Sequence, residues 1–318
     1  MCEIIITAAD AGRRLDKYLF MYLNNAPHSL IYKLLRKKRI KLSRKRAKGG
    51  ELLQDGDIIT VHVSQETLAS CRKHQYEDGP PIQSNVPCAH DTNLPPIVYE
   101  DENFLILDKP AGIASHGGMK NKNPHLLQRV HSYLQAKGDY PPDATFTPAL
   151  CNRLDVNTSG LVICGKNYQA LRAMNTAFAT LGAVDKQYIC VVDGKLTGHA
   201  RLEGKYHKDT KANTVRITSG QGLPRAITEY TSIKVYKGHT LLHVNPITGR
   251  SHQIRAHLAS IGHPLVGDKK YGGKPHNSSR GQLLHCRKLM LTQPIMGYPA
   301  NTTWIAEPPV YYKTLGLV

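Results

Sequence analysis

The stretch Asn152-Arg153-Leu154-Asp155-Val156-Asn157-Thr158-Ser159-Gly160 runs without interruption into Leu161-Val162-Ile163-Cys164, and that apolar run stops at Gly165. A short, unbroken apolar segment closed by glycine reads as a buried strand. Asp155 is therefore held on a stiff loop at a strand edge, between a cation and a cluster of small turn-formers. Most aspartates in such a place are turn or cap residues, but loops braced by buried strands are also where reactive groups sit.

The remaining pattern is strand-rich. Ile97-Val98-Tyr99 and Phe104-Leu105-Ile106-Leu107 flank Glu100-Asp101-Glu102-Asn103, which predicts a hairpin. Asn167 is placed to cap a helix carrying Leu171, Met174, Phe178 and Leu181 on one face. Strands are expected at Tyr188–Val192, Ala226–Val235, Leu241–Val244 and Leu283–Leu291, and a helix from His252 to Ile261, capped by Ser251 and ended by Gly262. Strand follows strand with few helices between, so the fold class is α+β with a mixed, mainly antiparallel sheet.

The first 64 residues read as a separate, small α/β domain. Leu15, Tyr18, Leu19, Tyr22 and Leu23 form a helical stripe, and Ser29 is placed to cap a second helix with Leu30, Ile31, Leu34 and Leu35. From Lys33 to Lys48, ten of sixteen residues are Lys or Arg and none is acidic. Such a run without compensating acids repels itself unless an anion meets it. Residues 65–95, rich in Pro80, Pro81, Pro87, Pro95 and Pro96, read as a linker, and 96–318 as the main domain.

Across all 318 residues, 42 Lys and Arg stand against 24 Asp and Glu, a formal charge of +18. That balance calls for a polyanionic partner. No segment approaches 18 consecutive apolar residues, so nucleic acid is expected rather than a membrane. The seven cysteines (Cys2, Cys71, Cys88, Cys151, Cys164, Cys190, Cys286) are scattered without a C-x-x-C pair, which fits neither a disulfide framework nor a zinc ribbon and suits a reducing cytoplasm.

The Asn152–Gly160 segment resembles the catalytic loop of RluA-type pseudouridine synthases, His-Arg-Leu-Asp-x-x-Thr-Ser-Gly, with Asn152 in place of the usual His. Asp108-Lys109-Pro110-Ala111-Gly112 followed by His116, Lys186-Gln187-Tyr188, Gly249-Arg250-Ser251-His252-Gln253-Ile254-Arg255-Ala256-His257-Leu258 with Gly262-His263-Pro264-Leu265 and Gly267-Asp268, and Leu284-His285 resemble further segments of that family in the same order. Arg13 to Val63 resembles the small RNA-binding domain shared with the fourth ribosomal protein of the small subunit.

The resemblance implies a pseudouridine synthase fold and the isomerisation of a uridine within an RNA chain. It assigns the carboxylate to Asp155, its pairing cation to Arg255 and the active-site tyrosine to Tyr188, which alone would pass for an ordinary strand aromatic. A uridine must leave its stack to be reached, and Arg153, two residues before Asp155, is placed to fill the gap. Arg250 is expected to brace the third segment or touch RNA backbone, while Lys37, Lys38, Arg39, Lys41, Arg44, Lys45 and Arg46 dock phosphates.

The reaction is redox-neutral and intramolecular, so no cofactor is expected, in keeping with a sequence lacking G-x-G-x-x-G and G-x-x-x-x-G-K-[ST]. His252 and His257, five apart, do not have the spacing of a helical metal pair. Gly117-Gly118-Met119-Lys120 is only a weak phosphate-loop signal. The expected partner is large-subunit ribosomal RNA, bound by a monomer without membrane or nucleotide cofactor. The alternatives are a transfer-RNA substrate or a non-catalytic RNA-binding or ribosome-assembly factor.

Overall fold

The structure, a computed structural model, describes residues 1–72, 94–117, 124–141, 145–209, 212, 214–218, 222–275, 281–310 and 312. The chain forms two compact units. One is built from Met1–Asn93, His131–Ala149 and Gly165–Arg172, the other from Leu94–Val130, Leu150–Cys164 and Ala173–Val318.

The first unit carries β1 (Cys2–Ile5), α1 (Leu15–Tyr22), α2 (His28–Arg36), β2 (Ile40–Leu42), β3 (Lys45–Arg46), β4 (Ile58–Val61) and α3 (Gln65–Cys71). Its sheet has the order β1-β4-β2-β3. Leu15 and Leu19 from α1, Leu23 just past its end, Ile31 and Leu35 from α2, and Ile40, Ile59 and Val61 from the sheet make its core. The α1 stripe is the one read from the spacing. The second helix begins at His28 rather than at a Ser29 cap, because Pro27, at φ −62° and without an N–H, already supplies the extended residue before the first turn.

Residues 65–71, expected within the linker, are helical. Ser64 accepts a hydrogen bond from the Thr67 N–H at 3.2 Å, and Cys71 and Leu68 join the core. The rest of the proline-rich stretch, with Cys88, lies outside the described residues. This unit also takes in segments from beyond that stretch. Arg13, buried and 3.0 Å from Asp10, lays its guanidinium over Tyr168 at 4.7 Å and Phe146 at 5.8 Å.

The second unit is organised by a sheet with the strand path β11-β10-β12-β13-β9-β14-β8-β6-β5. Its strands are β5 (Ile97–Glu100), β6 (Phe104–Lys109), β8 (Ser159–Gly165), β9 (Val184–Asp193), β10 (His199–Asp209), β11 (Thr214–Thr218), β12 (Arg225–Tyr236), β13 (His239–Pro246) and β14 (Leu284–Leu291), with α6 (Gln253–Ser260) packed beside it. β7 (Ala149–Leu150) and β15 (Thr303–Ile305) pair off this path with β8 and β14. The pairings from β11 to β14 are antiparallel, whereas β14 meets β8 in parallel at His285 opposite Ser159. Side chains alternate along β9. Cys190 and Val192 pack with Ile254 and Leu258 of α6, and Ile189 and Val191 pack with Leu241, Val266 and Tyr312 on the opposite face. Every residue of β8 is buried.

The helices α4 (Leu126–Lys137) and α5 (Tyr168–Ala179) and a short 3-10 helix at Lys269–Tyr271 complete the described elements. Asn167 caps α5 by accepting from the Ala170 N–H at 2.9 Å. That helix stops at Ala179, so Leu181, expected on its apolar face, is 68% exposed beside Gly182 at φ 80°. Among the described residues no helix is long and apolar enough to cross a membrane.

Candidate active site

The loop before β8 is fixed from several sides. Cys151 N donates to Ile163 O at 2.7 Å. The Asn152 carboxamide extends that ladder, donating to Leu161 O at 3.1 Å and accepting from Ile163 N at 2.8 Å. Asn152 is thus engaged on both sides in bracing the loop against β8. Ser115 Oγ donates to Leu154 O at 2.8 Å, and Thr158 N closes a turn onto Asp155 O at 3.0 Å.

Lys109 is fully buried, and its ammonium donates to Pro110 O, Ile113 O and Val156 O at 2.9–3.1 Å. Burial pulls its pKa down to about 8, partly countered by the charge of Asp155. The neighbouring Asp108 is pushed up to about 6 by burial, against the pull of Lys109. Where β8 runs beside β14, Gly160 is at φ +108° and a Cβ there would fall 2.2 Å from Cys286 O, so only glycine fits. Ser159 Oγ bonds His285 Nδ1 at 3.0 Å, and His285 Nε2 reaches Ala306 O at 3.1 Å. The carbonyl can only accept, so Nε2 carries the proton and Nδ1 accepts from the serine hydroxyl.

This scaffold presents Asp155 to Arg255, whose Nη1 donates to Asp155 Oδ2 at 2.6 Å. The same guanidinium forks onto Asp268, Nε to Oδ2 at 2.6 Å and Nη2 to Oδ1 at 2.8 Å. The Arg255 and Asp268 side chains are 8% and 1% exposed, while that of Asp155 is 29% exposed and open to the cavity. Burial alone would weaken the arginine's charge, but the hydrogen bonds and charges of Asp268 and then Asp155 outweigh it and raise its pKa. A three-bonded, planar cation aims the carboxylate as well as neutralising it.

Tyr188 on β9 stands opposite Cys286 of β14, and both Tyr188 and Asp155 line a cavity of about 1050 Å³. Burial, reinforced by Cys286 and Asp155, keeps the Tyr188 hydroxyl protonated well above the usual tyrosine range. Arg153 and Arg250 line the same cavity, and both are exposed. Arg250 is tied by its backbone, its N–H donating to Gln253 Oε1 at 3.1 Å. The structure therefore gathers Asp155, Tyr188, Arg255, Arg153 and Arg250 around one space.

Ser251 does not cap α6. His252 takes that position with φ 53°, no side chain caps the first turn, and Gln253 Oε1 instead holds Arg250 N and Thr248 Oγ1. Sequence reasoning gave no role to Asp268, Tyr271, Ser115 or Lys109. Asp268 stands in the Gly267-Asp268 pair of the third family segment, which carries no assigned role of its own. Among the described residues no cluster of His, Cys, Asp and Glu is arranged to hold a metal ion. Of the Gly117–Lys120 loop, only Gly117 lies within the described residues.

The basic run lies in the first unit. Lys33, Arg36, Lys37, Lys38, Arg39, Lys41, Arg44, Lys45, Arg46 and Lys48 are all exposed. β2 and β3 form a hairpin that sets Lys41 directly across from Arg46, like charge against like. Its turn, Ser43 at φ 46° and Arg44 at φ 67°, uses left-handed conformations usually given to Asn and Gly. A strained hairpin that crowds cations is suited to an anionic partner.

The family model described as RNA pseudouridylate synthase matches residues 103–260. A protein of Pasteurella multocida (strain Pm70) named ribosomal large subunit pseudouridine synthase C is 32% identical, over 98% of this chain and 92% of its own length. The Escherichia coli (strain K12) protein of the same name is 31% identical over 92% of this chain and 89% of its own. Among solved structures, Human RNA Pseudouridylate Synthase Domain Containing 1 shares the fold with a TM-score of 0.52 at 20% identity, covering 71% of this chain and 88% of that one. The chain belongs to the RNA pseudouridylate synthase family, in its RluA-type branch.

Proposed function

We propose that this RluA-type pseudouridine synthase isomerises uridines of large-subunit ribosomal RNA, with Asp155 as the reacting carboxylate. The observation that carries the reading is the Asp155–Arg255–Asp268 arrangement opening onto the cavity shared with Tyr188. In the reaction the bond from ribose C1′ to N1 of uracil breaks, the base turns, and a bond from C1′ to C5 forms. The proton lost from C5 is matched by one gained at N1, so atoms and electrons balance without a redox partner. Asp155 serves as nucleophile or base, paired with and aimed by Arg255. The Tyr188 ring stacks against the detached uracil. Arg153, exposed at the cavity, enters the RNA stack in place of the flipped nucleotide.

The substrate reading is supported by the names of relatives that align over nearly the whole chain, N-terminal unit included. The enzyme acts as a monomer in a reducing cytoplasm, without a nucleotide cofactor. Mapping pseudouridines across total RNA from cells with and without the gene tests this. The expected result is loss of one or a few sites from large-subunit ribosomal RNA. Loss confined to transfer RNA would overturn the substrate, and no loss anywhere would overturn the activity.

The basic run supplies docking. Joint replacement of Lys37, Lys38, Arg44, Lys45 and Arg46 by alanine is expected to flatten the salt dependence of RNA affinity, each lost phosphate contact reducing the log–log slope by roughly 0.7 to 0.9. Turnover on a short RNA that the second unit engages by itself should fall much less. An unchanged slope would reduce the run to a solvated face.

A further inference from the structure

His252 occupies an unusual place. It is the residue before α6, and its backbone is left-handed, φ 53° and ψ 14°, without being glycine. Such a conformation costs about 1–3 kcal/mol and persists where the surroundings over-determine it, often at working sites. Its side chain is 13% exposed, with Nε2 3.7 Å from Asp155 Oδ2. On the other side of the ring, Nδ1 is 3.0 Å from the Tyr271 hydroxyl. That hydroxyl accepts from Val215 N at 2.8 Å, so its own proton is free to be donated to Nδ1. A ring nitrogen that accepts leaves the other to carry the proton. Asp155 Oδ2 beside Nε2 can only accept, and the Tyr271 hydroxyl can donate to Nδ1, so the tautomer that suits both neighbours carries its proton on Nε2, facing Asp155.

Arg255 Nη1 and His252 Nε2 both approach Oδ2 of the carboxylate, which leaves Oδ1 to meet the substrate. The charged groups around the imidazole are Asp155, Arg255, Lys270 and Asp268, and burial, the largest influence, disfavours its charged form. At 3.7 Å the contact is longer than a hydrogen bond. Contacts of this kind commonly tighten when the substrate seats.

We infer that His252 is a positioning residue for Asp155: the Tyr271 hydroxyl fixes its tautomer, and its Nε2–H closes onto Oδ2 so that Oδ1 is the reacting oxygen. The inference rests on the reading of Asp155 as the reacting carboxylate. It treats Tyr271 as acting through His252, although its ring also lies under the Arg255 guanidinium at 5.0 Å.

The test uses the full-length enzyme and unmodified large-subunit ribosomal RNA made by transcription, with single-turnover rate at saturating enzyme measured beside dissociation constant. His252→Ala is expected to slow the rate by about 30- to 100-fold with little change in affinity, the scale on which a lost orienting contact acts. His252→Gln, whose amide N–H reaches toward the place of Nε2, should recover at least about fivefold of that loss. Tyr271→Phe should cost roughly tenfold, and the His252→Ala/Tyr271→Phe double variant should be no slower than His252→Ala alone.

The Tyr271→Phe variant keeps the aromatic packing and loses only a hydroxyl, so it remains informative where His252→Ala folds poorly. A near-normal rate in His252→Ala, no recovery with Gln, additive losses in the double variant, or a loss confined to affinity would each overturn the inference. If Asp155→Asn stays active, the reading of the site itself has failed. If Asp155→Asn is dead and Tyr271→Phe and His252→Ala are not slowed, only this inference has.

Discussion

Asp155→Asn is expected to abolish pseudouridine formation, by about 10⁴-fold or more in single-turnover rate, the scale seen when the reacting side chain of a cooperative site is removed. The substitution keeps size and the ability to accept from Arg255 Nη1, now at 2.6 Å, and takes away only the charge. Folding should change little. The Asp155 side chain is 29% exposed, and a partly solvated ion pair contributes on the order of 1 kcal/mol. RNA affinity should also hold, since the loop is braced by Asn152, Ser115 and Lys109 independently of the carboxylate. The measurements are rate at saturating enzyme, dissociation constant and thermal unfolding, on protein from a host lacking related enzymes. Residual activity within about tenfold of the unaltered enzyme, equivalent to about 1.4 kcal/mol of barrier, would remove Asp155 from the reaction.

Much of the site could be read from the chain because its parts sit in short segments of fixed spacing. The loop before β8 was legible from the apolar run that follows it, and all of Ser159–Gly165 is buried. The pairing of Asp155 with Arg255, a hundred residues apart, came from resemblance alone, since no periodicity joins positions so distant. Asp268 stands in the third family segment, but its bond to Arg255 joins α6 to a loop that residue spacing does not connect.

The strands β10 and β11 were missed for a physical reason. His199–Asp209 is largely exposed or half-exposed, so its alternation is not one of apolar and polar residues. In contrast, α4 did carry a signal: Leu126, Val130 and Leu134 recur every four residues and are all fully buried. In the sequence His252 opens a helix within the third family segment, and its spacing to His257 excludes a helical metal pair without assigning its side chain a role. Its left-handed backbone and its contact with Tyr271 depend on how the Gly249–Gln253 turn closes, which residue identity does not reveal.

Arg255 separates aim from charge. Arg255→Lys is expected to lower the single-turnover rate by about 10²-fold or more with little change in RNA affinity, because one ammonium cannot reproduce a planar fork that serves two carboxylates at once. Arg255→Ala should go further and also destabilise the fold, since it strands the 1% exposed Asp268 carboxylate. Breaking a buried pair from one side costs about 3–5 kcal/mol. The two effects come apart in Arg255→Ala/Asp268→Asn: removing the stranded charge should return much of the stability and none of the rate.

Arg250 is the control. It lines the cavity but is exposed, and only its backbone is tied to Gln253, so Arg250→Ala should weaken RNA binding more than it slows the bound reaction. Rate at saturating enzyme, dissociation constant and unfolding midpoint, measured on all four variants, decide the matter. If Arg250→Ala destroys the chemical step while Arg255→Ala spares it, the cation that serves Asp155 has been misassigned. If the double variant regains activity along with stability, Arg255 acts only by holding Asp268, and the aim of the carboxylate must come from elsewhere in the loop.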